Sequence, residues 1–270
     1  MEDKKKDEFY VGYINQMGSK TKRTVRLFVF LAVLAVVIVA GLFALFQKPA
    51  ENSRFDFDST TVLEGVYLET PYPLLRIKLG EDQYKDIVLL GFGKSGALPY
   101  LTALKEEGNL PGNTLRIEGN LLYYNGKSLL QITDENDIQI VDSKADGLTP
   151  QQEGMQDPVA RMMEGEIIDP KCFFGVMKPG YGKIHRSCAS LCIAGGIPPV
   201  WMTTNEKGDE AYFLITDLKG NAIHKDLLPY IGQASKVEGT VSQRGSWSYL
   251  ALDVNKIEKV NDRKSIYTAE

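Results

Sequence analysis

All three cysteines of this 270-residue chain, Cys172, Cys188 and Cys192, lie within a few turns of sequence from one of its two histidines, His185. The spacing is C-x12-H-x2-C-x3-C. Thiolate and imidazole are the ligands that select zinc or copper, and three of one with one of the other make the closed tetrahedral set of a structural zinc site. Such motifs usually pair their ligands across two to four residues, a separation that includes only one cysteine pair here. A disulfide is the second reading. A bridge from Cys172 to Cys188 or Cys192 would close a loop of roughly 17 to 21 residues and contribute about 3 kcal/mol, whereas a Cys188–Cys192 bridge along one helix face would be strained. Thiol redox chemistry is the third. The thiol left over, beside His185, Lys183 and Arg186, would have a lowered pKa and would react or bind a soft ion such as Cu(I). Asp169, three positions before Cys172, is a supporting residue in each case. Covalent haem is not expected, because C-x-x-C-H is absent.

Positioning these side chains requires a helix after Gly182. On one, His185, Cys188 and Cys192 fall at i, i+3 and i+7, all on one face. Gly195, Gly196 and the Pro198-Pro199 pair end that helix. Cys172 must then come from the end of the preceding strand, folded back through a loop at Pro179 and Gly180.

The surrounding chain sets the compartment. Leu27 to Phe46 holds no charged residue and, as a helix, spans about 30 Å, the thickness of a bilayer core. A secretory signal has a shorter apolar stretch and a small-residue cleavage site, so an uncleaved anchor fits better. Lys20, Lys22, Arg23 and Arg26 precede the span, against Lys48 and Arg54 after it, which places the N-terminus inside. Residues 1–26 carry seven Lys or Arg against four acids, and the remainder 24 against 31. An acidic body argues against nucleic acid as a partner, because neutralising phosphates needs a basic surface. In the tail, Phe9, Tyr10 and Tyr13 suit a bilayer interface.

From Thr60 onward the pattern is mainly β. Strands are expected at 62–69, 74–79 and 85–92, a short helix at 99–107, a hairpin from 114 to 133 turning at Asn125-Gly126, and a last strand at 137–141. The second half repeats this grammar. MEGEIIDP (163–170) answers LEGVYLET (63–70), strands at 198–204 and 210–217 follow, HKDLLPYI (224–231) takes the helix position, and residues 235–260 answer 114–141. Five strands with a helix between the third and fourth is the OB plan. The expected layout is therefore a cytoplasmic tail (1–26), a transmembrane helix (27–46), a tether (47–59), a first OB-like barrel (60–142), a linker (143–160), a second barrel with the Cys/His insertion (161–262) and a tail (263–270).

The run DPKCFFGVMKPGYGKIHRSCASLCIAGGIPP, with an aromatic-glycine-tyrosine N-terminus before one span, resembles a group of bacterial single-span membrane proteins with an exported tandem OB-like region. Their motif, D-x-x-C-(Y/F) with a later H-x-x-C-A-x-x-C, is matched at Asp169, Cys172, Phe173, His185, Cys188, Ala189 and Cys192. The resemblance implies architecture and an inner-membrane, single-pass topology with a periplasmic or extracellular C-terminal region. It implies no activity.

Other candidates weaken on inspection. GFGKSG (91–96) lacks the first glycine of a phosphate loop, where Val88 stands. His224 reads as a solvated residue at a helix start. Trp201, Trp247, Tyr249 and Phe213 fall on strands, where aromatics are core. No carboxylate pair or Ser/His/Asp set can be named, so enzymatic activity is not expected. The expectation is a membrane-anchored extracytoplasmic binding or accessory module, a subunit or assembly factor of a membrane complex with a membrane-protein partner. The alternative is a metal-binding or thiol redox protein using Cys172, His185, Cys188 and Cys192. The basic flank before Leu27 predicts that a reporter active only outside the cytoplasm, fused after Glu270, gives signal; activity of a cytoplasmic reporter at that point would reverse the orientation.

Overall fold

The computed structural model of the chain describes residues 18–46, 53–81, 83–107, 110–141, 158–205 and 207–260. The aromatic patch at 9–13, residues 47–52 of the tether, nearly all of the linker and the tail at 263–270 lie outside the described residues. The chain divides into two compact units, one ending at Glu51 and the other starting at Asn52.

In the first unit, helix α1 (Ser19–Phe46) is apolar all round from Leu27 onward, without the polar stripe that a helix packed on a soluble core would show. None of its residues is buried, and it is long and apolar enough to cross a membrane. It begins before the expected span, so the basic residues Lys20 to Arg26 lie on its first turns.

The second unit holds two closed five-stranded barrels. In the first, β2 (Thr61–Leu68), β3 (Leu74–Lys78) and β4 (Tyr84–Leu90) form an antiparallel meander. Helix α2 (Leu98–Glu107) follows, then the hairpin of β5 (Thr114–Tyr124) and β6 (Lys127–Gln131). Strand β6 pairs in parallel with β4, and β5 closes on β2. Short strands β1 (Ser53–Phe55) and β7 (Ile138–Val141) add to β5. The second barrel repeats this path with β8 (Val159–Ile168), β9 (Val200–Thr204), β10 (Glu210–Thr216), β11 (Ser235–Arg244) and β12 (Trp247–Leu252), with β13 (Glu258–Lys259) beside β11.

The repeat holds at the level of register. Gly65 faces Leu115 across the closing pair of the first barrel, and Gly165 faces Ser235 in the second. The hairpins end on Tyr124–Lys127 and Arg244–Trp247, and the parallel pairs join Val88 to Leu129 and Leu214 to Tyr249. The glycines of Glu64-Gly65 and Glu164-Gly165 have one physical cause. A Cβ at Gly65 would strike the Arg76 carbonyl, and one at Gly165 the Met202 carbonyl, so only glycine lets the first strand curl onto its neighbour. The helix position repeats only in part. Where α2 stands in the first barrel, the second has a 3-10 turn, Lys225–Tyr230, because Pro229 cannot donate a backbone hydrogen bond and stops a full helix.

Each barrel has its own interior, around Leu75, Leu89 and Ile117 in one and Trp201, Ile215 and Leu250 in the other. A third core joins them. Tyr72, Val88, Leu122 and Leu129 from the first barrel pack with Phe174, Val200, Leu214 and Trp247 from the second. At its edge Arg76 and Asp86 form a buried two-point ion pair at 2.7 and 3.0 Å. Around Asp86 the barrels exchange hydrogen bonds. Its N–H donates to Ser246 Oγ at 2.8 Å, and its carbonyl accepts from Trp247 Nε1 at 3.1 Å. Lys127 donates to the Ser246 carbonyl at 2.8 Å and lies over the Trp247 ring. Trp247 is fully buried in this seam. Trp247→Ala is therefore expected to cost roughly 3–5 kcal/mol, read as a lower urea midpoint in which both barrels unfold together; a drop confined to the second barrel would show that the seam does not couple them.

Candidate metal or thiol centre

The insertion between β8 and β9 starts at Asp169, which is fully buried. Its Oδ1 accepts the N–H of Lys171 at 2.9 Å and that of Cys172 at 3.5 Å, the pattern by which a short acidic side chain organises a turn. Cys172 therefore opens a π-helical turn, Cys172–Val176, rather than ending a strand as the sequence suggests. Such turns occur mostly as single bulges, often at functional sites. The turn drives Phe173 and Phe174 into the seam, where the Phe174 ring stacks on Tyr124 at 5.4 Å.

The chain then returns as helix α3 (Gly182–Ala194), as expected. Glu166 receives the N–H of Gly182 at the helix start, where a carboxylate complements the helix dipole. His185, Ala189, Cys192 and Ile193 form the buried face. Cys188 sits at its border, half-buried, and Lys183, Ile184, Arg186 and Leu191 face out. At the far end Gly195 donates to the Leu191 carbonyl, and its own carbonyl accepts from Gly96 N–H at 2.9 Å. A Cβ on Gly195 would collide with the Lys94 carbonyl, so glycine both ends the helix and admits the first barrel.

The loop 91–96 is thus a docking element. Its backbone presents carbonyls to a cation, the reverse of a phosphate cradle: Lys171 Nζ donates to Gly91 O at 2.9 Å and Gly93 O at 2.8 Å. Burial lowers the Lys171 pKa, opposed by the charge of Asp169. His224 is not the solvated residue expected. It meets Tyr72 edge-on at 5.6 Å in the seam, and burial lowers its pKa.

The four ligand candidates come together, and Asp169 joins them, but not at a single point. They fall into two groups of three. Ligand atoms of Cys172, His185 and Cys188 lie within 4.8 Å of one another, as do those of Asp169, Cys172 and Cys192. Cys172 belongs to both. The three cysteines are free, with Cys172 Sγ 3.9 Å from Cys188 Sγ. Two polar atoms in the cluster are buried without a hydrogen-bond partner, His185 Nε2 and Asp169 Oδ2. A buried polar atom left unpaired costs roughly 1–3 kcal/mol, so each calls for a ligand.

Lys183 and Arg186 point to solvent, and Arg186 donates to the Pro229 carbonyl at 3.4 Å. The Cys172 thiol is pushed up, first by its hydrogen bond with Cys192, then by burial, then by the Asp169 carboxylate. Burial lowers the His185 pKa, with Asp169 opposing and Lys94 adding to it. The direction at Cys172 favours the thiol and that at His185 the neutral imidazole, the forms a ligand set holds before an ion displaces a thiol proton. Sequence reasoning missed Lys171, whose partners are backbone carbonyls about 80 positions away and leave no residue-type signal. The D-x-x-C spacing did carry Asp169.

No protein-family model matches the chain, and no curated protein sequence does. The burial pattern predicts that one thiol per chain, Cys188, reacts quickly with a thiol reagent in the folded, metal-free protein, and that Cys188→Ser removes the fast phase. Equal reaction of all three thiols would show the cluster to be open.

Proposed function

We propose that this chain is a membrane-anchored module whose second barrel holds a thiophilic metal centre on Cys172, His185, Cys188 and Cys192, with Asp169 as a further ligand. The observation that carries this reading is the unpartnered His185 Nε2 and Asp169 Oδ2, both buried beside three free thiols. Zinc is the ion this mixed set fits best, since it accepts thiolate, imidazole and carboxylate, whereas Cu(I) disfavours the carboxylate. The α1 helix anchors the module in the inner membrane with its barrels outside the cytoplasm, as the basic flank supports. Its role there is that of an accessory or assembly subunit for a membrane-protein partner. Exposed Ile184 and Leu191, which flank Cys188 on α3, support such a contact. The acidic balance of the body supports a partner other than nucleic acid.

Full-length protein purified in detergent under reducing conditions is expected to bind Zn2+ and to lose thermal stability on chelation. Cys172→Ser should abolish binding and remove the chelator effect. A chain that binds no zinc, keeps one free thiol and loses stability with reductant instead would replace the metal centre by a disulfide.

A further inference from the structure

We infer, resting on the metal-centre reading, that the centre holds two divalent ions bridged by the Cys172 thiolate. Its ligand atoms form two triads that share Cys172 alone. Each triad also contains its own unpartnered buried atom, His185 Nε2 in one and Asp169 Oδ2 in the other. A single ion at either triad leaves the other orphan uncompensated.

Charge points the same way. Three thiolates and one carboxylate carry four negative charges at residues that are mostly sealed from water: Asp169 is 0% exposed, Cys192 2% and Cys172 6%. One divalent ion would leave two of those charges unbalanced in a low-dielectric site, which is costly. The adjacent Lys171 ammonium, held by the Gly91 and Gly93 carbonyls, offsets at most one of them. Two divalent ions balance the set. Binding releases the thiol protons to solvent, one for each thiolate formed, with no change of oxidation state.

The two positions differ in access. Cys188 is half-buried, so the ion on Cys172, His185 and Cys188 lies near the surface. The ion on Asp169, Cys172 and Cys192 is enclosed. With three protein ligands each and a shared thiolate, both ions keep a fourth position, the hallmark of zinc sites that exchange ligands or act on them. The outer ion therefore leaves to a chelator first.

The test uses the full-length chain in detergent, reduced, stripped of metal and titrated anaerobically with Zn2+. Elemental analysis should find two zinc ions per chain in the wild type. His185→Gln and Cys188→Ser should each bind one, Asp169→Asn and Cys192→Ser should each bind one, and Cys172→Ser none. X-ray absorption of the wild type, which requires no variant to fold, should show zinc–zinc scattering at about 3.5–4 Å. One ion per chain without that scattering, lost alike in every variant, would overturn the bridged pair and leave a mononuclear centre standing. A wild type that binds no zinc would overturn both.

Discussion

The apolar seam between the two barrels is the constraint on which everything else in this unit depends. Small barrels close on their own interiors, yet here their outer faces are also apolar and fully buried against each other, with Val88, Leu129, Val200 and Leu214 all at 0% exposure. Removing such a face from water is the dominant stabilising contribution, and it cannot be made by either barrel alone. The cysteine-bearing insertion is part of that seam. Cys172 and Cys192 belong to the same buried cluster as Leu122 and Trp247, and Gly175 admits the Leu122 side chain where a Cβ would crowd it. The geometry of the Cys/His cluster is therefore held by the docking of a barrel that supplies none of its residues.

The docking is reciprocal, which explains why the insertion sits where it does. In each barrel the connection from first to second strand reaches toward the loop after the third strand of the other. From the first barrel Tyr72 donates to the Ile215 carbonyl and accepts from Ile223 N–H. From the second, Lys171 donates to the carbonyls of Gly91 and Gly93. Two copies of one barrel facing each other across a two-fold axis would make this exchange, as in an isologous pair. The first connection is a short turn that holds Tyr72, and the second comprises the turn and helix that carry the cysteines.

Much of this was legible in the sequence because it follows from local patterns. Alternating apolar residues, Asn125-Gly126 and the paired Glu-Gly dipeptides report strands, a hairpin and a repeat, since each reflects a backbone requirement within a few residues. Helix α3 was legible for the same reason. The seam was not. A strand apolar on both faces, such as KDIVLL, reads equally as a barrel strand or a core strand, and nothing in it names the surface it meets. His224 shows the consequence: read alone it is a solvated helix start, and only Tyr72, far away in sequence, places it in the interface. The division of the cysteine and histidine candidates into two triads was not legible on the same ground. Helix periodicity puts three ligands on one face, but the π turn that sets Cys172 between them depends on Asp169 and on the rings it wedges into the seam.

That dependence has a thermodynamic corollary. An ion that binds only the folded, docked arrangement stabilises the docking by linkage, in proportion to the logarithm of its concentration over its dissociation constant. Because Cys172 is followed directly by Phe173 and Phe174 in the turn, moving its sulfur onto an ion is coupled to the packing of those rings against Tyr124 and Tyr212. Conversely, separating the barrels would relax the turn that places Cys172. If the proposed centre holds an ion, occupancy and barrel docking are two readouts of one equilibrium. Coupling of this kind needs no moving lid. It requires only that the cysteine common to both triads and the interface aromatics occupy consecutive positions, as Cys172, Phe173 and Phe174 do.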